Sequence, residues 1–349
     1  MSMRRFATIA ILLAAAATAL LLSGGCRRAG GLHSTVAAAA EADATNAVVY
    51  VNPGATAPAL PLYALADFRK KDAQFRLEIR HWDSPVLLNS LLLSGNGDFW
   101  LASVDTIARA HAHGAPVQLL MVTGWRKFHL LSARPGDSFP QDFAGRTLPY
   151  APPGSPGKEL LESHLKDAGL PQPDWLPQEN RQLLLKLLDG QYDCALLPEP
   201  LATILENRSP RFHRLFAEEE YLARSSGAPA RLPWAAIAVN SDFAKANPGM
   251  VAALADDIAA AAAVLADTPA EASATILAEA VGLPTEALAK SLKHDLILAL
   301  PAWEVRDELR EFLSRTASDL QWDDRLCWSA PDSSSTGKQP QKNLQNMQI

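Results

Sequence analysis

The sequence carries one pattern twice, as LLLSGNGDFWLAS at residues 91–103 and as KLLDGQYDCALLP at residues 186–198. Apolar residues fall in matching places, Gly95 aligns with Gly190, and an aspartate stands three residues after each glycine. Each copy predicts the end of a helix, a turn and a short buried strand. The repeat therefore predicts two similar structural units in one chain.

The flanking segments alternate between strand-like and helical patterns. Strand-like runs are at 47–51, 75–80, 99–102, 117–122, 146–150, 194–197 and 232–239. Helical runs are at 59–69, 85–93, 158–168, 181–188 and, with breaks, from 248 to about 320; we expect those at 85–93 and 181–188 to be buried. Alternating strands and helices predict an α/β fold in which helices cover both faces of mostly parallel sheets. Such sheets bind ligands outside the carboxyl ends of their strands, so a cleft shared by two lobes is expected.

The order of these elements predicts the domain organisation. We expect a leader at 1–25, a flexible tether at 26–46, a first lobe at 47–131, a second lobe at 132–231, a return to the first lobe at 232–328 and a disordered tail at 329–349. The lobes would connect near 130–133 and 232–234.

The N-terminus has the features of an export signal. Two arginines precede an uncharged apolar run at 6–22, and Ser23-Gly24-Gly25-Cys26 follows. The small residues before Cys26 resemble a bacterial lipoprotein cleavage site, which implies lipidation of Cys26, a membrane anchor, and a periplasmic or cell-surface location. That family usually has leucine where this chain has Ser23. A free secreted protein and an uncleaved anchor stay open as alternatives.

Charge and cysteine content argue against nucleic-acid binding and against a cysteine metal site. The formal net charge is −6 and the chain has no long basic run, so a nucleic-acid partner is not expected. Its three cysteines share no metal-ligand spacing. Cys194 lies in an apolar run typical of a buried thiol, and a disulfide between Cys194 and Cys327 is the alternative.

Two loops have the composition of a binding site, Ser103-Val104-Asp105-Thr106 and Gly154-Ser155-Pro156-Gly157. Each precedes a predicted helix, whose first N–H groups and partial positive charge attract acceptors or anions. The alternative is that their hydroxyls only cap the helices. Asp105 and Glu199 are either partners of helix dipoles or acceptors for a ligand amine.

Aromatic residues offer a second kind of contact. Trp82, Trp125 and Trp234 could line an apolar wall of the cleft, although core packing is the simpler interpretation of Trp125 and Trp234.

Catalytic and cofactor motifs do not fit. The run GSPGK at 154–158 is too short for a phosphate loop, and GDS at 136–138 has no matching late Asp-x-x-His. His111 and His113 are two apart on a predicted helix and face different directions. We therefore expect no cofactor, no metal site and no catalytic residues.

Three stretches resemble the substrate-binding proteins of nitrate, sulfonate and taurine ABC importers. They are FWLASVDTIARAHAHGAPVQLLMVTGW (99–125), GRTLPYAPPGSPGKELLESHLKDAGL (145–170) and LLDGQYDCALLPEPLAT (187–203). The resemblance extends over about 47–320. It implies a type II periplasmic-binding-protein-like fold with two lobes, which delivers a small solute to an ABC permease in the inner membrane and catalyses no reaction.

The resemblance also implies which residues contact the ligand. They are Thr56, Ala57, Ser84, Ser103, Asp105, Thr106, Thr123, Gly154, Ser155, Gly157 and Glu199. The motif loops contain no arginine or lysine to bind a strongly anionic ligand. The alternatives are an organic nitrogenous solute such as a pyrimidine precursor or an amide, an exported α/β hydrolase, and a sensor lobe for a membrane partner.

Overall fold

The computed structural model describes residues 45–52, 54–69, 75–227 and 229–330. The chain separates into residues 1–43 and one compact unit from residue 44 to residue 349. The predicted leader at 1–25, the predicted lipid-bearing Cys26 and the predicted tail beyond residue 330 lie outside the described residues.

The first strand begins at Thr45, so it includes the last two residues of the segment predicted as a tether, 26–46. In chain order the strands are β1 (Thr45–Val51), β2 (Phe75–His81), β3 (Phe99–Ser103), β4 (Val117–Gly124), β5 (Phe128–Ser132), β6 (Thr147–Tyr150), β7 (Asp174–Pro177), β8 (Cys194–Pro198), β9 (His213–Ala217), β10 (Ala235–Asn240) and β11 (Leu300–Pro301).

The helices follow the strands as the alternating pattern predicts. In chain order they are α1 (Leu60–Arg69), α2 (Pro85–Ser94), α3 (Val104–Ala112), α4 (Pro156–Asp167), α5 (Asn180–Leu188), α6 (Leu201–Arg208), α7 (Glu218–Ser226), α8 (Ser241–Ala246), α9 (Pro248–Ala266), α10 (Ala270–Val281), α11 (Thr285–Leu292) and α12 (Arg306–Thr316).

The first lobe is built on a six-stranded sheet with the order β11-β4-β10-β3-β1-β2. β1 pairs in parallel with β2 and β3, whereas β10 lies antiparallel between β3 and β4. β3 and β4 consequently run in the same direction, and β1 to β4 all end at one edge of the sheet. The predicted return of the chain to this sheet is observed as β10.

The second lobe is built on a five-stranded sheet with the order β7-β6-β8-β5-β9. β6 is parallel to β7 and β8, while β5 lies antiparallel between β8 and β9. β6, β8 and β9 therefore all end at the edge where β5 begins.

Two short segments connect the lobes, residues 125–127 and residues 227–234. The boundary predicted after residue 131 falls inside β5, and the connection predicted near 130–133 overlaps the end of β5; both are corrected to 125–127. The physical reason is that all five residues of β5 are buried between β8 and β9, so this apolar run starts the second sheet.

Packing on the first sheet corrects a second expectation. The predicted burial of helix 85–93 is only half right, because Leu88, Leu91 and Leu92 are buried whereas Val86 and Leu93 are 79% and 54% exposed. The apolar residues of this run lie on all sides of the helix, but only one face of α2 packs against the core.

The C-terminal helices cover the first lobe and reach the second. α9 is long and apolar enough to cross a membrane by length and composition, but Val251, Leu254 and Ile258 are fully buried and α9 packs on α1. α11 contacts α6 of the second lobe, and α12 contacts α4. These helices therefore bridge the two sheets as well as covering one.

The cysteines of the described part are free thiols. Cys194 is fully buried in β8 and Cys327 lies against β4 of the other sheet. Burial raises the pKa of each thiol to about 12. The interpretation of Cys194 as a small buried side chain is confirmed, and the alternative disulfide is not formed.

Candidate functional site between the two sheets

The topology brings the predicted site loops to two facing edges. In the first lobe, Thr56, Ser84, Ser103 and Thr123 lie at or after the carboxyl ends of β1, β2, β3 and β4. In the second lobe, the loop at 151–157 follows β6, Glu199 follows β8 and Glu218 follows β9. Because only residues 125–127 separate the end of β4 from the start of β5, these edges face each other.

The loop after β3 does not cap its helix in the expected way. The Ser103 hydroxyl donates to Thr106 Oγ1 at 2.8 Å and makes no capping hydrogen bond with a backbone N–H of α3. Asp105 Oδ1 is buried and has no hydrogen-bond partner among the described residues. The hydroxyl pair and Asp105 Oδ1 therefore make no hydrogen bond to the backbone of α3.

Among the other predicted site residues of the first lobe, some have a structural role and one has an unpaired side-chain hydroxyl. Ser84 Oγ accepts from Leu87 N at 3.2 Å and so caps α2. Ala57 is buried in a core cluster with α1, α10 and α11. Thr123 is 2% exposed, and its hydroxyl has no partner in the part of the chain that the structure describes.

Thr56 lies at the start of a short 3-10 helix, Ala57–Ala59. Its carbonyl accepts from Ala59 N and Leu60 N, both at 3.1 Å, while its buried side chain makes no capping hydrogen bond.

The loop after β6 forms a tight N-terminal cap. Ser155 Oγ accepts from Gly157 N at 3.2 Å, and Gly154 is exposed with a φ of +69°. A Cβ atom at position 157 would lie 2.8 Å from the Phe128 ring and 3.0 Å from Glu218 Oε2. Position 157 must therefore be glycine, because the first turn of α4 lies directly against β5 and a carboxylate of α7.

Glu199 binds protein groups with both carboxylate oxygens. Its Oε1 pairs with Arg214 at 2.6 Å and accepts from Thr203 Oγ1 at 3.1 Å, and its Oε2 accepts from Ser291 Oγ of α11 at 3.0 Å. His129 Nε2 lies 3.6 Å from Oε1. This buried network links the lobes, and it leaves Glu199 less suited to a ligand than the sequence implied.

Two carboxylates at the start of α7 also lie at the cleft, and they were not predicted from the sequence. Glu218 and Glu219 are 0% and 1% exposed. Glu219 Oε1 accepts from Lys127 N at 2.9 Å and from Trp234 Nε1, so it ties both connecting segments together. Burial raises the pKa of Glu219 to about 7. Burial, reinforced by the Glu219 charge, raises the pKa of Glu218 well above its ordinary value.

Further charged groups converge on the same place. Burial raises the pKa of Asp295, and Glu199 and Glu219 add to that effect. Burial lowers the pKa of Lys127, and Asp105 and Asp295 partly oppose that effect. The pKa of His129 is held well below its usual value by burial and by Arg214. Strongly shifted groups gathered at one cleft are typical of functional sites.

The three tryptophans are held by hydrogen bonds to the protein. Trp82 Nε1 donates to Leu101 O at 3.2 Å and Trp125 Nε1 to Leu298 O at 3.0 Å. Trp125 and Trp234 are fully buried, which confirms that they belong to the core around the lobe connections. Trp82 is only partly buried and follows β2 at the cleft edge.

Two α/β lobes joined at the carboxyl edges of their sheets define the class of periplasmic-binding-protein-like folds. The chain belongs to the NMT1/THI5-like family, whose profile matches residues 71–272. Comparison with the sequences of curated proteins finds no match.

Solved structures with this fold include an ABC transporter protein and periplasmic binding proteins. An ABC transporter protein from Parabacteroides distasonis is 17% identical with a TM-score of 0.67, covering 83% of this chain and 100% of its own. The periplasmic aliphatic sulphonate binding protein SsuA from Escherichia coli is 16% identical with a TM-score of 0.63, covering 78% and 91%. The periplasmic nitrate-binding protein NrtA from Synechocystis PCC 6803 is 14% identical with a TM-score of 0.57, covering 79% and 81%.

Proposed function

We propose that this protein is the extracytoplasmic solute-binding component of an ABC importer and that it performs no catalysis. The observation that carries the proposal is the meeting of two sheet edges, each with buried polar groups that lack a partner among the described residues. Thr123 and Asp105 belong to the first lobe, and Glu218 to the second. Unpaired buried polar groups destabilise a fold, so their presence on both sides of one cleft favours a bound solute that pairs them.

The proposed partner is a permease in the inner membrane, and the proposed event is closure of the lobes on a solute. SsuA and NrtA are named as binding proteins for aliphatic sulphonates and nitrate, which makes these anions the first candidates. The unpaired carboxylates favour the second candidate, an organic nitrogenous solute. We also propose that the solute contacts the residues predicted from the sequence as ligand contacts.

A thermal-shift panel combined with turnover assays tests the proposal against a hydrolase. We expect at least one sulfonate, nitrate, amide, amine or heterocycle to raise the melting temperature without being consumed. Hydrolysis of ester or phosphoester substrates by the purified protein, lost on mutation of cleft residues, would establish an enzyme instead.

We also propose that the protein is exported and anchored through Cys26. The apolar leader and the small residues before Cys26 support this, although they lie outside the described residues. Labelled palmitate should enter the wild-type protein and not the Cys26→Ser variant, and the variant should leave the membrane fraction. Equal labelling of both would refute the anchor without affecting solute binding.

A further inference from the structure

Five carboxylate oxygens at the cleft are unpaired among the described residues, and they outnumber the unpaired nitrogens of Arg126, Arg214 and His129. Asp105 Oδ1, Glu219 Oε2, Asp295 Oδ2 and both oxygens of Glu218 are buried without a hydrogen-bond partner among the residues that the structure describes. Thr123 adds an unpaired hydroxyl from the first lobe, opposite Glu218 and Glu219. A site with surplus acceptors requires a ligand that brings donors.

The cations near the cleft each have an acidic neighbour. Arg214 lies 2.6 Å from Glu199 and 2.9 Å from Glu206. Arg126 lies 3.4 Å from Glu220, on the same helix as Glu218. Lys127 has Asp105 and Asp295 as its charged neighbours. Glu218 is the carboxylate that no described cation faces.

Glu218 occupies the position that an anion would need. Its Oε2 lies 3.0 Å from the point where a Cβ on Gly157 would be, beside the first turn of α4. The N-terminus of a helix is the natural anion site of such a loop. A sulfonate or nitrate bound there would be repelled by the carboxylate of Glu218 and by Glu219 next to it.

We infer that the solute carries a cationic nitrogen, such as an ammonium or amidinium group, and that Glu218 binds it. This inference rests on the proposed function, because it assigns the ligand class of the same cleft. A cation with two or more N–H groups would satisfy Glu218 and leave a donor for a second acceptor, for which Thr123 and Asp105 are available on the facing edge.

The protonation of Glu218 determines whether affinity for the solute rises or falls with pH. Phe128 of β5 and Gly157 of α4 face Glu218, and its titratable neighbour is Glu219, with Arg126, Lys127 and Asp295 beyond. Burial raises the pKa of Glu218, and it raises the pKa of Glu219 to about 7, so without a solute this pair binds protons more readily than exposed carboxylates do. A cation favours the ionised carboxylate, so binding releases protons and affinity rises with pH. A protonated Glu218 that donates to an uncharged solute would give the opposite trend.

The experiment titrates the mature protein by calorimetry with ethanolammonium, butylammonium, guanidinium and benzamidinium. Matched anions are butanesulfonate, benzenesulfonate and nitrate, and butanamide is the neutral control. We expect binding by members of the cationic set, with proton release in two buffers of different ionisation heat. Affinity should be at least about 5-fold higher at pH 8 than at pH 6.

Two variants locate the contact. Glu218→Gln should weaken cation binding at least about 10-fold while the melting temperature of the empty protein stays or rises, since an unpaired buried acid is removed. Glu271→Gln, at an exposed position of α10, is the control and should change affinity less than about 2-fold. If Glu218→Gln does not fold, proton release on binding to the wild-type protein still tests whether the solute is a cation.

The outcomes separate the two claims. Binding of an anion or of butanamide in place of the cations, or cation binding that Glu218→Gln leaves unchanged, overturns the inference and keeps the proposed function. Absence of binding by every probe, with no small molecule retained on purification, overturns both.

Discussion

Glu219 is the residue at which the two connecting segments meet. Its Oε1 accepts from the backbone of Lys127 in one segment and from the indole of Trp234 in the other. Truncating it would leave two buried donors unpaired. Each costs about 1–3 kcal/mol, so Glu219→Ala should destabilise the protein far more than removal of an exposed acid such as Glu286.

The pH dependence of stability follows from the same carboxyl group. Its pKa is near 4.5 in the unfolded chain and about 7 in the folded protein. Stabilisation by proton binding is therefore complete below pH 4.5 and is lost as the pH rises through 7. Glu218 and Asp295, whose pKa values are also raised, add to this trend. Melting temperatures should fall between pH 5 and pH 8, and Glu219→Gln should flatten the fall; an unchanged profile in the variant would assign the loss to other groups.

Thr106 and Ser155 test the facing loops separately. Thr106 Oγ1 accepts from Ser103, whereas Ser155 caps α4. Thr106→Val should weaken solute binding roughly 2- to 10-fold, as loss of one neutral hydrogen bond would, with little change in melting temperature. Ser155→Ala should weaken binding by a similar factor and also lower stability by about 1 kcal/mol.

Thr275→Val, at an exposed position of α10, is the control for both variants and should leave affinity unchanged. Calorimetric titration with the retained solute and a melt of each empty protein measure the two quantities. Unchanged affinity in both Thr106→Val and Ser155→Ala would remove these loops from the binding site.

At the scale of elements, the repeated pattern ends a helix in the same way in both lobes. Gly95 follows α2 with a φ of +64°, and Gly190 follows α5 with a φ of +76°. Their surroundings differ, because a Cβ at position 95 would lie 2.8 Å from Pro116, whereas at position 190 the nearest atoms are 3.6 Å away on Arg211.

The paired glycines give a matched prediction. Gly190→Ala should cost about 1 kcal/mol for its left-handed backbone alone. Gly95→Ala should cost about 1–3 kcal/mol more, because Pro116 is a rigid neighbour in the loop before β4. Urea unfolding of both variants measures the difference, and equal losses would show that the backbone conformation decides both.

Local sequence patterns predicted most of the fold but only part of the candidate site. Period and turn residues placed seven of the eleven strands in the described residues, because a buried strand of an α/β sheet is a short apolar run, but β5, β7, β9 and β11 were not predicted. These patterns missed the switch of sheets at 125–127, since β4 and β5 are both apolar and their pairing depends on distant strands. The run AEEEY at 217–221 resembles a solvated helix face, and only the fold buries Glu218 and Glu219. Contacts made by distant residues, such as Ser291 with Glu199, leave no local signal.

At the scale of the whole molecule, helices of the first lobe contact the second directly. Ser291 Oγ donates to Glu199 at 3.0 Å, Lys290 donates to Asn207 at 3.2 Å, and Arg315 pairs with Asp167 at 3.2 Å. Separation of the lobes about the two connecting segments must break these contacts, and solute binding must favour them.

Scattering should detect this exchange between open and closed forms. We expect a smaller radius of gyration when the solute is bound than when it has been removed. Ser291→Ala should favour the open form and increase the radius of the empty protein, whereas Ser314→Ala, on the exposed side of α12, should not. An identical radius with and without solute would indicate a rigid scaffold.

The central claim is that one small solute is held between the lobes, and native mass spectrometry of the mature protein tests it most directly. We predict a one-to-one adduct that persists through purification, is released on unfolding and is depleted in Glu218→Gln and Thr106→Val. A bare protein mass in every preparation, together with no rebinding of any cytosolic or periplasmic small-molecule extract, would contradict the account.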